Sequence, residues 1–330
     1  MTKAVLVAGG AGYIGSHVCK ALAAAGYVPV VLDDFSAGHR DFVKFGPLVE
    51  ACVSDVEAVK HVVSNYGIEA VIDLAGSIEV SESVKDPLKY YDNNVAKKIA
   101  FLRALNRAGV KAFVFSSTAA VYGEPTVIPI PETHVTSPTN PYGWSKLMFE
   151  RLLQSNEPVS GMRFMALRYF NAAGASLDGD LGESHDPETH LIPRACLANL
   201  GTIPPLEIFG NDYQTPDGTA VRDYVHVMDL AQAHVLAVTA LLGGASSATY
   251  NLGNGVGTSI GEIVAAFAQM GHPVPHSFKG RRAGDPSRLV ADSSAVRAGL
   301  GWKPQYADIA TIIGSAYRWH QQSHSKSNAG

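Results

Sequence analysis

The sequence predicts an α/β fold, a doubly wound parallel sheet with a smaller mixed α/β region after it. Three observations predict it. Short apolar, β-prone runs alternate with helix-period segments as far as Tyr169, the alternation that covers both faces of a parallel sheet with helices. A glycine-rich loop joins the first run to the first helical segment, and an aspartate closes the second run. Beyond residue 172 the alternation gives way to longer polar loops and isolated strand-like runs.

Lys3-Ala4-Val5-Leu6-Val7-Ala8 is the first run, apolar as a strand buried on both faces must be. Gly9-Gly10-Ala11-Gly12-Tyr13-Ile14-Gly15 follows, then a helical pattern over 16–25. Gly10, Gly12 and Gly15 fit G-x-G-x-x-G, and Gly9, Gly12 and Gly15 fit G-x-x-G-x-x-G. Such glycines allow a tight turn and let the backbone approach a pyrophosphate seated on free helix N-terminal amides. The bare pattern also fits a turn with no ligand, but the context favours a dinucleotide. Strand 28–32 ends at Asp33, 18 residues beyond Gly15, where an acid can take both ribose hydroxyls. That charge repels a 2′-phosphate, which favours NAD over NADP.

Strand 49–53 leads to Asp55 and helix 56–65, and strand 70–74 ends at Ala75-Gly76. Residues 90–107 read as one long helix, and strand 112–115 delivers the run Ser116-Ser117-Thr118. Helix 142–154 and strand Arg163–Tyr169 come next, closing with Phe170-Asn171. Loop character over 172–188 marks a boundary, giving units 1–175 and 176–330, with a segment near 220–255 interleaving the second with the first. Helix 190–200, strand Leu206–Phe209, polar loop 210–220, strand Val221–His226 and helix 228–242 follow. The tail from Gln321, rich in Ser, Gln and His, is expected to fray.

Composition narrows the class. The chain has 330 residues, 46% hydrophobic and 17% charged, as in ordinary globular proteins with a sizeable core. A net charge of −4 gives no electrostatic reason to expect nucleic acid. No apolar run approaches the ~20 residues of a membrane span, and the N-terminus runs straight into a strand with no secretory signal ahead of it. Cys19, Cys52 and Cys196 are odd in number and far apart, and read as small buried fillers in a reducing compartment. A soluble, cytoplasmic protein is expected.

The chemistry centres on Tyr142-Gly143-Trp144-Ser145-Lys146. Pro141 suits a helix's first turn, and Tyr142 and Lys146, four apart, project from one face. A phenol titrates near ~10 in water, and a cation held close favours its ionised form, making the pair a plausible proton shuttle. Alone the spacing equally describes a surface Tyr beside a solvated Lys. The hydroxyl run at the end of strand 112–115 lies where doubly wound sheets place their ligands.

Taken together, Gly9 to Gly15, Asp33-Asp34, Tyr90-Tyr91-Asp92-Asn93-Asn94-Val95, the segment 115–123, Tyr142 with Lys146, and Leu167-Arg168-Tyr169-Phe170-Asn171 resemble an extended short-chain dehydrogenase/reductase. Asn211-Asp212-Tyr213, Asp217-Gly218-Thr219, the stretch 221–230 and Arg281-Arg282-Ala283-Gly284-Asp285-Pro286 are similar to the UDP-glucose 4-epimerase (UDP-galactose 4-epimerase) branch, over residues 3 to 320. The resemblance implies a Rossmann-type sheet with a smaller mixed α/β substrate domain. It further implies a bound NAD, a UDP-hexose oxidised and re-reduced at C4, and a homodimer pairing the helices at 90–107 and 142–154. Ile99, Leu102, Leu105, Leu147, Leu152 and Leu153 would serve core and partner together.

Residue by residue, the resemblance implies that Tyr142 moves the C4 proton, Lys146 lowers the tyrosine's pKa and holds the nicotinamide ribose, and Thr118 hydrogen-bonds the reacting oxygen. Gly9, Gly12, Tyr13, Ile14 and Gly15 would meet the pyrophosphate, and Asp33, Asp34, Phe35, Ser36, Ala37 and Gly38 the adenosine ribose. Asp55 and Val56 would meet the adenine, and Leu74, Ala75, Gly76, Asn93 and Phe170 the rest of the cofactor. Asn171, His190, Leu191, Phe209, Arg222, Tyr224, Arg282, Asp285 and Leu289 would hold the UDP-sugar. For the two arginines there is a separate reason, since guanidinium groups match phosphate oxygens.

Four departures from the family pattern stand out. Ile78 replaces a Lys near the cofactor, and Glu79 beside it adds a loop charge. His190 replaces a substrate-contacting Asn and is expected to donate as a neutral imidazole. Leu289, at the gating position, lies between the large residue that excludes N-acetyl sugars and the small one that admits them. The twelve histidines have no cysteine partner at ligand spacing, so no metal is expected. His226 and His234 read as packed or capping residues, and Trp144 and Trp302 as packing residues. The rivals are an epimerase of UDP-N-acetylhexosamines or UDP-pentoses, a sugar-nucleotide dehydratase, and a non-catalytic NAD-binding regulator. Thr118-Ala119-Ala120 lacks the acidic pair of a dehydratase, and the intact Tyr/Lys/hydroxyl set argues against the regulator.

Overall fold

Ala4–Ala8 forms β1, buried along its whole length because every side chain is apolar and both sheet faces are covered. The computed structural model describes residues 3–282 and 285–327. From β1 the chain alternates through α1 (Tyr13–Ala24), β2 (Val28–Asp33), β3 (Leu48–Glu50), α2 (Val56–Tyr66), β4 (Ile68–Asp73), α3 (Val80–Lys85), α4 (Pro87–Tyr91) and α5 (Lys97–Arg107). It continues through β5 (Ala112–Thr118), α6 (Pro141–Ser160), β6 (Arg163–Tyr169), β7 (Asn171–Ala173), α7 (Leu191–Asn199), β8 (Leu206–Phe209) and β9 (Val221–His226). The rest comprises α8 (Val227–Leu242), β10 (Ala248–Leu252), β11 (Gly257–Ser259), α9 (Ile260–Gln269), β12 (His276–Lys279), β13 (Arg288–Leu289), α10 (Ser294–Leu300) and α11 (Ile309–Ser327).

Seven parallel strands make the large sheet, in the order β10-β6-β5-β4-β1-β2-β3. Val18 and Leu22 of α1 and Leu230 and Val238 of α8 fill one face, and Phe101, Leu105, Phe149 and Leu153 of α5 and α6 fill the other. The smaller mixed part carries the sheet β11-β9-β13 with β7 also on β9, and the pair β12-β8. Its own core gathers Ile192, Ile263, Phe267 and Ile313 from α7, α9 and α11. Among the described residues no helix is long and apolar enough to cross a membrane.

Several elements depart from the sequence expectation. The strand expected over 49–53 is short, Leu48–Glu50, because residues 52–55 turn so that Asp55 can cap α2. The helix expected over 90–107 is interrupted by a π segment, Asp92–Ala96, between α4 and α5. Its wider turn lets both Asn93 and Asn94 bond Ser77, and such segments recur at functional sites. The expected loop 172–188 begins with β7, which adds to β9. The tail expected to fray from Gln321 continues α11 to Ser327, and residues 328–330 lie outside those described. Cys19 and Cys196 are buried, and Cys52 is partly buried at the edge of the core. Trp302 is fully buried, whereas Trp144 is 42% exposed.

One polar network runs through the core. Arg168 on β6 pairs with Glu150 on α6 through Nε–Oε1 at 3.0 Å and Nη2–Oε2 at 2.6 Å. Ser117 donates to the same Glu150 oxygen at 2.5 Å, and Arg168 Nη1 donates to the Tyr122 hydroxyl at 2.9 Å. Tyr122 in turn donates to Asn251 on β10 at 2.7 Å. Removing one partner leaves an uncompensated buried charge, so Glu150→Ala should lose about 3–5 kcal/mol of stability in urea unfolding. Glu150→Ala with Arg168→Met should lose clearly less. Equal losses would mean that the pair is not what the single variant breaks.

Candidate active site

Because all seven strands run one way, the residues after β1, β2, β4, β5 and β6 gather on one rim of the sheet. Gly9, Asp33, Ala75, Thr118 and Phe170 all lie there, at the edge where open α/β sheets bind ligands. Gly9 has φ of 77°, and a Cβ on it would come within 2.6 Å of the Ala75 nitrogen. A Cβ on Gly15 would stand 2.0 Å from the Gly9 oxygen, so the turn closes only without side chains. Helix α1 starts at Tyr13, three residues earlier than the sequence pattern suggested. Gly12 precedes it and no side chain caps it, leaving the first-turn amides for an anion.

Asp33 closes β2 as expected, but both carboxylate oxygens already hold the loop. Oδ2 accepts from Ala11 N and Oδ1 from Phe35 N, each at 2.9 Å. Burial pushes this carboxyl up, against the pull of those two amides. Phe35 sits at φ of 56°, a left-handed conformation unusual for a non-glycine residue, with the Arg40 guanidinium 4.2 Å above its ring. Asp34 accepts from Ser36 N and Oγ, and these bonds outweigh partial burial and lower its pKa. Asp55 is the N-cap of α2, accepting from Glu57 and Ala58 amides at 3.1 and 3.0 Å. These geometries preorganise a cradle that fits a dinucleotide: a side-chain-free turn, uncapped helix amides and a buried acid at the next strand end.

Asn140 caps α6 by accepting from Gly143 N at 2.8 Å, with Pro141 in the first turn. Tyr142, Lys146 and Glu150 then form a stripe at i, i+4 and i+8 facing β5. Lys146 is buried and donates to the Ser116 carbonyl at 2.9 Å. Burial, with the Lys98 ammonium nearby, lowers Lys146 to about 7. Its nitrogen is 5.9 Å from the Tyr142 ring centroid. Burial holds the Tyr142 phenol above its ordinary value, and the hydroxyl that pulls it down is that of Thr118. The expectation that Lys146 lowers the phenol is therefore not met by the protein's own groups, because the lysine is itself desolvated. Thr118, the last residue of β5, also accepts from Ala120 N at 3.1 Å.

The sequence assigns no role to three residues behind this group. Asp73 ends β4 fully buried and pairs with Lys98, whose nitrogen also donates to the Ala75 carbonyl at 2.5 Å. Lys98 thus puts a cation on the loop where Ile78 stands 41% exposed in place of the family's lysine. A signal existed: an acid at the end of an apolar strand needs a buried partner. Asn94 is the third, accepting from Ser77 N at 2.8 Å and donating to Ser145 Oγ at 3.1 Å, which ties the β4 loop to α6.

On the opposite wall, β9 carries Arg222 and Tyr224 on one face and Asp223 on the other. Arg222 pairs with Asp285, and Tyr224 is buried beside Asn171 of β7. Arg282 lies 3.8 Å over the Phe209 ring; Ala283 and Gly284 of the same motif lie outside the described residues. Leu289 packs against the cluster of Ala119, Val121, Tyr122 and Leu147, next to Phe170. His190 precedes α7 and Leu191 opens it. Its Nδ1 lies 2.9 Å from Glu183 and 3.1 Å from Glu188, and the two carboxylates overcome burial and raise it to about 10. In the protein alone His190 is cationic, not the neutral donor expected. His226 accepts from Met228 N as a helix cap and His234 is packed in the core, as expected.

The sequence over residues 5–253 matches the NAD-dependent epimerase/dehydratase family. The chain belongs to that family. It is an enzyme whose cofactor is NAD, and the cradle described above suits that cofactor. A UDP-glucose 4-epimerase of Rhizobium leguminosarum bv. trifolii is 49% identical, with 98% of each chain covered. The UDP-glucose 4-epimerase of Brucella ovis, solved with NAD, is 48% identical over 96% of this chain and 98% of that one, with a TM-score of 0.94. A third family member, from Stenotrophomonas maltophila, was solved with NAD and formylated UDP-arabinopyranose; it is 38% identical over 98% of this chain and 99% of that one, at a TM-score of 0.95.

Proposed function

We propose that this enzyme is an isomerase that interconverts UDP-glucose and UDP-galactose by NAD-dependent 4-epimerisation through a transient 4-keto sugar. The observation that carries the reading is the convergence of Thr118, Tyr142 and Lys146 beside the dinucleotide cradle, in a chain about half identical to UDP-glucose 4-epimerases. When bound, NAD supplies the hydride acceptor and donor and, in its oxidised form, a positive charge.

Gly9, Gly12, Tyr13, Ile14 and Gly15 hold the pyrophosphate, and the loop from Asp33 to Gly38 the adenosine ribose. Asp55 and Val56 border the adenine; Leu74, Ala75, Gly76, Asn93 and Phe170 line the remaining path. Tyr142 Oη takes the C4 hydroxyl proton and later returns it to that same oxygen once the keto sugar has presented its other face, while Thr118 Oγ1 bonds that oxygen. Lys146 holds the nicotinamide ribose. Asn171, Leu191, Phe209, Arg222, Tyr224, Arg282 and Asp285 secure UDP, and His190 borders the sugar. Fixed binding of the nucleotide leaves the keto sugar free to turn, so one site serves both epimers.

The interleaving of the second unit with the first near 220–255 is supported by α8 and β10, which return to pack on α1 and complete the large sheet. A cytoplasmic location is supported by three free cysteines. A homodimer through α5 and α6 is supported by a shallow apolar cleft of Val95, Ile99, Trp144, Met148 and Leu152, with Trp144 and Met148 42% and 41% exposed. Leu102, Leu105 and Leu153 are buried inside the chain and leave that surface to the others.

Tyr142→Phe should lower epimerisation roughly 100-fold or more while NAD stays bound, measured by turnover of UDP-galactose and by cofactor content. Near-normal turnover would overturn the shuttle. Light scattering at micromolar concentration should give the mass of two chains, and Trp144→Glu with Met148→Glu the mass of one. A monomeric wild type removes the dimer reading. Leu289 governs the room for a C2 substituent, so wild type should turn over UDP-N-acetylglucosamine slowly beside the plain hexoses. Leu289→Tyr should suppress the N-acetyl activity and Leu289→Ser raise it, because overpacking by about 1–3 kcal/mol changes a rate ratio by one to two orders of magnitude. An unchanged ratio in both variants rules Leu289 out as the gate.

A further inference from the structure

Glu183, His185, Glu188 and His190 lie in the irregular segment between β7 and α7, spaced as E-x-H-x-x-E-x-H. They are the group of histidines and carboxylates, among the described residues, whose donor atoms all come within 4.8 Å of one another. His190 Nδ1 is 2.9 Å from Glu183 Oε1 and 3.1 Å from Glu188 Oε1. His185 Nδ1 is 3.3 Å from Glu183 Oε1 and 3.6 Å from Glu188 Oε2. Around a tetrahedral cation with ligands at about 2.0–2.1 Å, neighbouring donor atoms stand about 3.3–3.4 Å apart. The four separations bracket that value.

A set of ion pairs closed by protons would show the same four residues, so the decision rests on how their atoms are satisfied. Glu188 is held in place by its first oxygen, which accepts from Thr189 N and His190 N at 2.8 Å each. Its second oxygen, Oε2, is buried and makes no hydrogen bond, with the side chain 7% exposed. His185 Nδ1, facing it, is likewise buried and makes none. Two buried polar atoms that face each other at 3.6 Å and make no hydrogen bond are costly to keep without a further partner. In an ion-pair cluster they would simply bond. The two atoms instead stand 3.6 Å apart without a hydrogen bond, inside the same group of four donor atoms, a spacing that ligands of a common cation adopt.

We propose that Glu183, His185, Glu188 and His190 bind one divalent transition-metal cation of the zinc type. Two imidazoles exclude magnesium and calcium, which take oxygen ligands, and two carboxylates balance the charge of the ion. The site is structural. Four protein ligands leave no open position for catalysis. The His185 ring meets Tyr13, the first residue of α1, edge-on at 6.3 Å, and His190 immediately precedes α7. The ion therefore joins the cofactor loop to the helix that opens with Leu191, a link that rests on the assignment of those residues to NAD and UDP. Trp319 of α11 donates to the Glu183 carbonyl at 2.8 Å and braces the segment from behind.

The test is metal binding by the untagged full chain, and its readout is independent of epimerase activity. Protein dialysed against chelator is titrated calorimetrically with Zn²⁺ alone, Mg²⁺ alone and Co²⁺ alone, with visible absorption recorded for cobalt. One zinc per chain, a rise in melting temperature and the intense visible bands of four-coordinate cobalt are expected, with no response to magnesium. His185→Asn and Glu188→Gln should each weaken zinc binding roughly 100-fold or more, going beyond the loss typical of a supporting residue. Absence of stoichiometric zinc binding in the wild type establishes an ion-pair cluster only and overturns the proposal. So does zinc binding that both variants retain unchanged. Because Tyr142→Phe tests the chemistry at a different place, failure here leaves the epimerase reading standing.

Discussion

The buried pair of Glu150 and Arg168 is the constraint on which the reactive geometry depends. Glu150 is the third member of the stripe begun by Tyr142 and Lys146, and Arg168 belongs to the strand beside β5. Two bonds fix the helix azimuth, and Ser117, one residue before Thr118, adds a third from β5 itself. A buried ion pair gains little net stability over well-packed apolar residues, since desolvation offsets most of the attraction. What it provides is registry. Aliphatic side chains would let α6 slide along β5, whereas directional bonds hold Tyr142 against Thr118.

Around that frame the electrostatics are set by desolvation more than by opposite charges. Lys146 is buried and lies near a second buried cation, Lys98, which Asp73 partly balances. Its affinity for a proton falls to about 7, while burial raises that of the Tyr142 phenol. Within the protein alone the phenol is held neutral, while the lysine stands near its midpoint at neutral pH. A pair poised this way responds strongly to any cation brought beside it, because the surrounding dielectric is low. With the roles proposed for the pair, cofactor binding and proton transfer would be linked through charge.

The opposite wall is organised by Asp223. Its carboxylate accepts from the amides of Asn254, Gly255 and Ala291 at 2.7, 2.9 and 3.0 Å. Burial raises it to about 6 against those three bonds. The bonds join β9 to the loop after β10 and to the residues following β13, which ties Arg222, Tyr224 and Leu289 to one wall. This wall and the Tyr142 wall meet where Leu289 packs against the cluster of Ala119 and Tyr122.

The sequence by itself determined the parallel sheet, the glycine turn, Asp33 at the end of β2, and Tyr142 and Lys146 on one helix face. These are local facts: strand apolarity, missing side chains and a period of 3.6 residues are written in neighbouring positions. Tertiary structure alone decided which buried charges meet. Asp73 finds Lys98, 25 residues away, and Glu150 finds Arg168, 18 away, across elements whose separation in the chain says nothing of their contact. It also decided the π segment that turns Asn93 and Asn94 onto Ser77, the helical continuation to Ser327, and the charge of His190. The His/Glu group shows the division most plainly. Its four residues lie within eight positions, yet their spacing matches no helical metal motif, and an irregular segment has no period from which convergence can be read. Only the folded path of that segment brings the four donor atoms to one point.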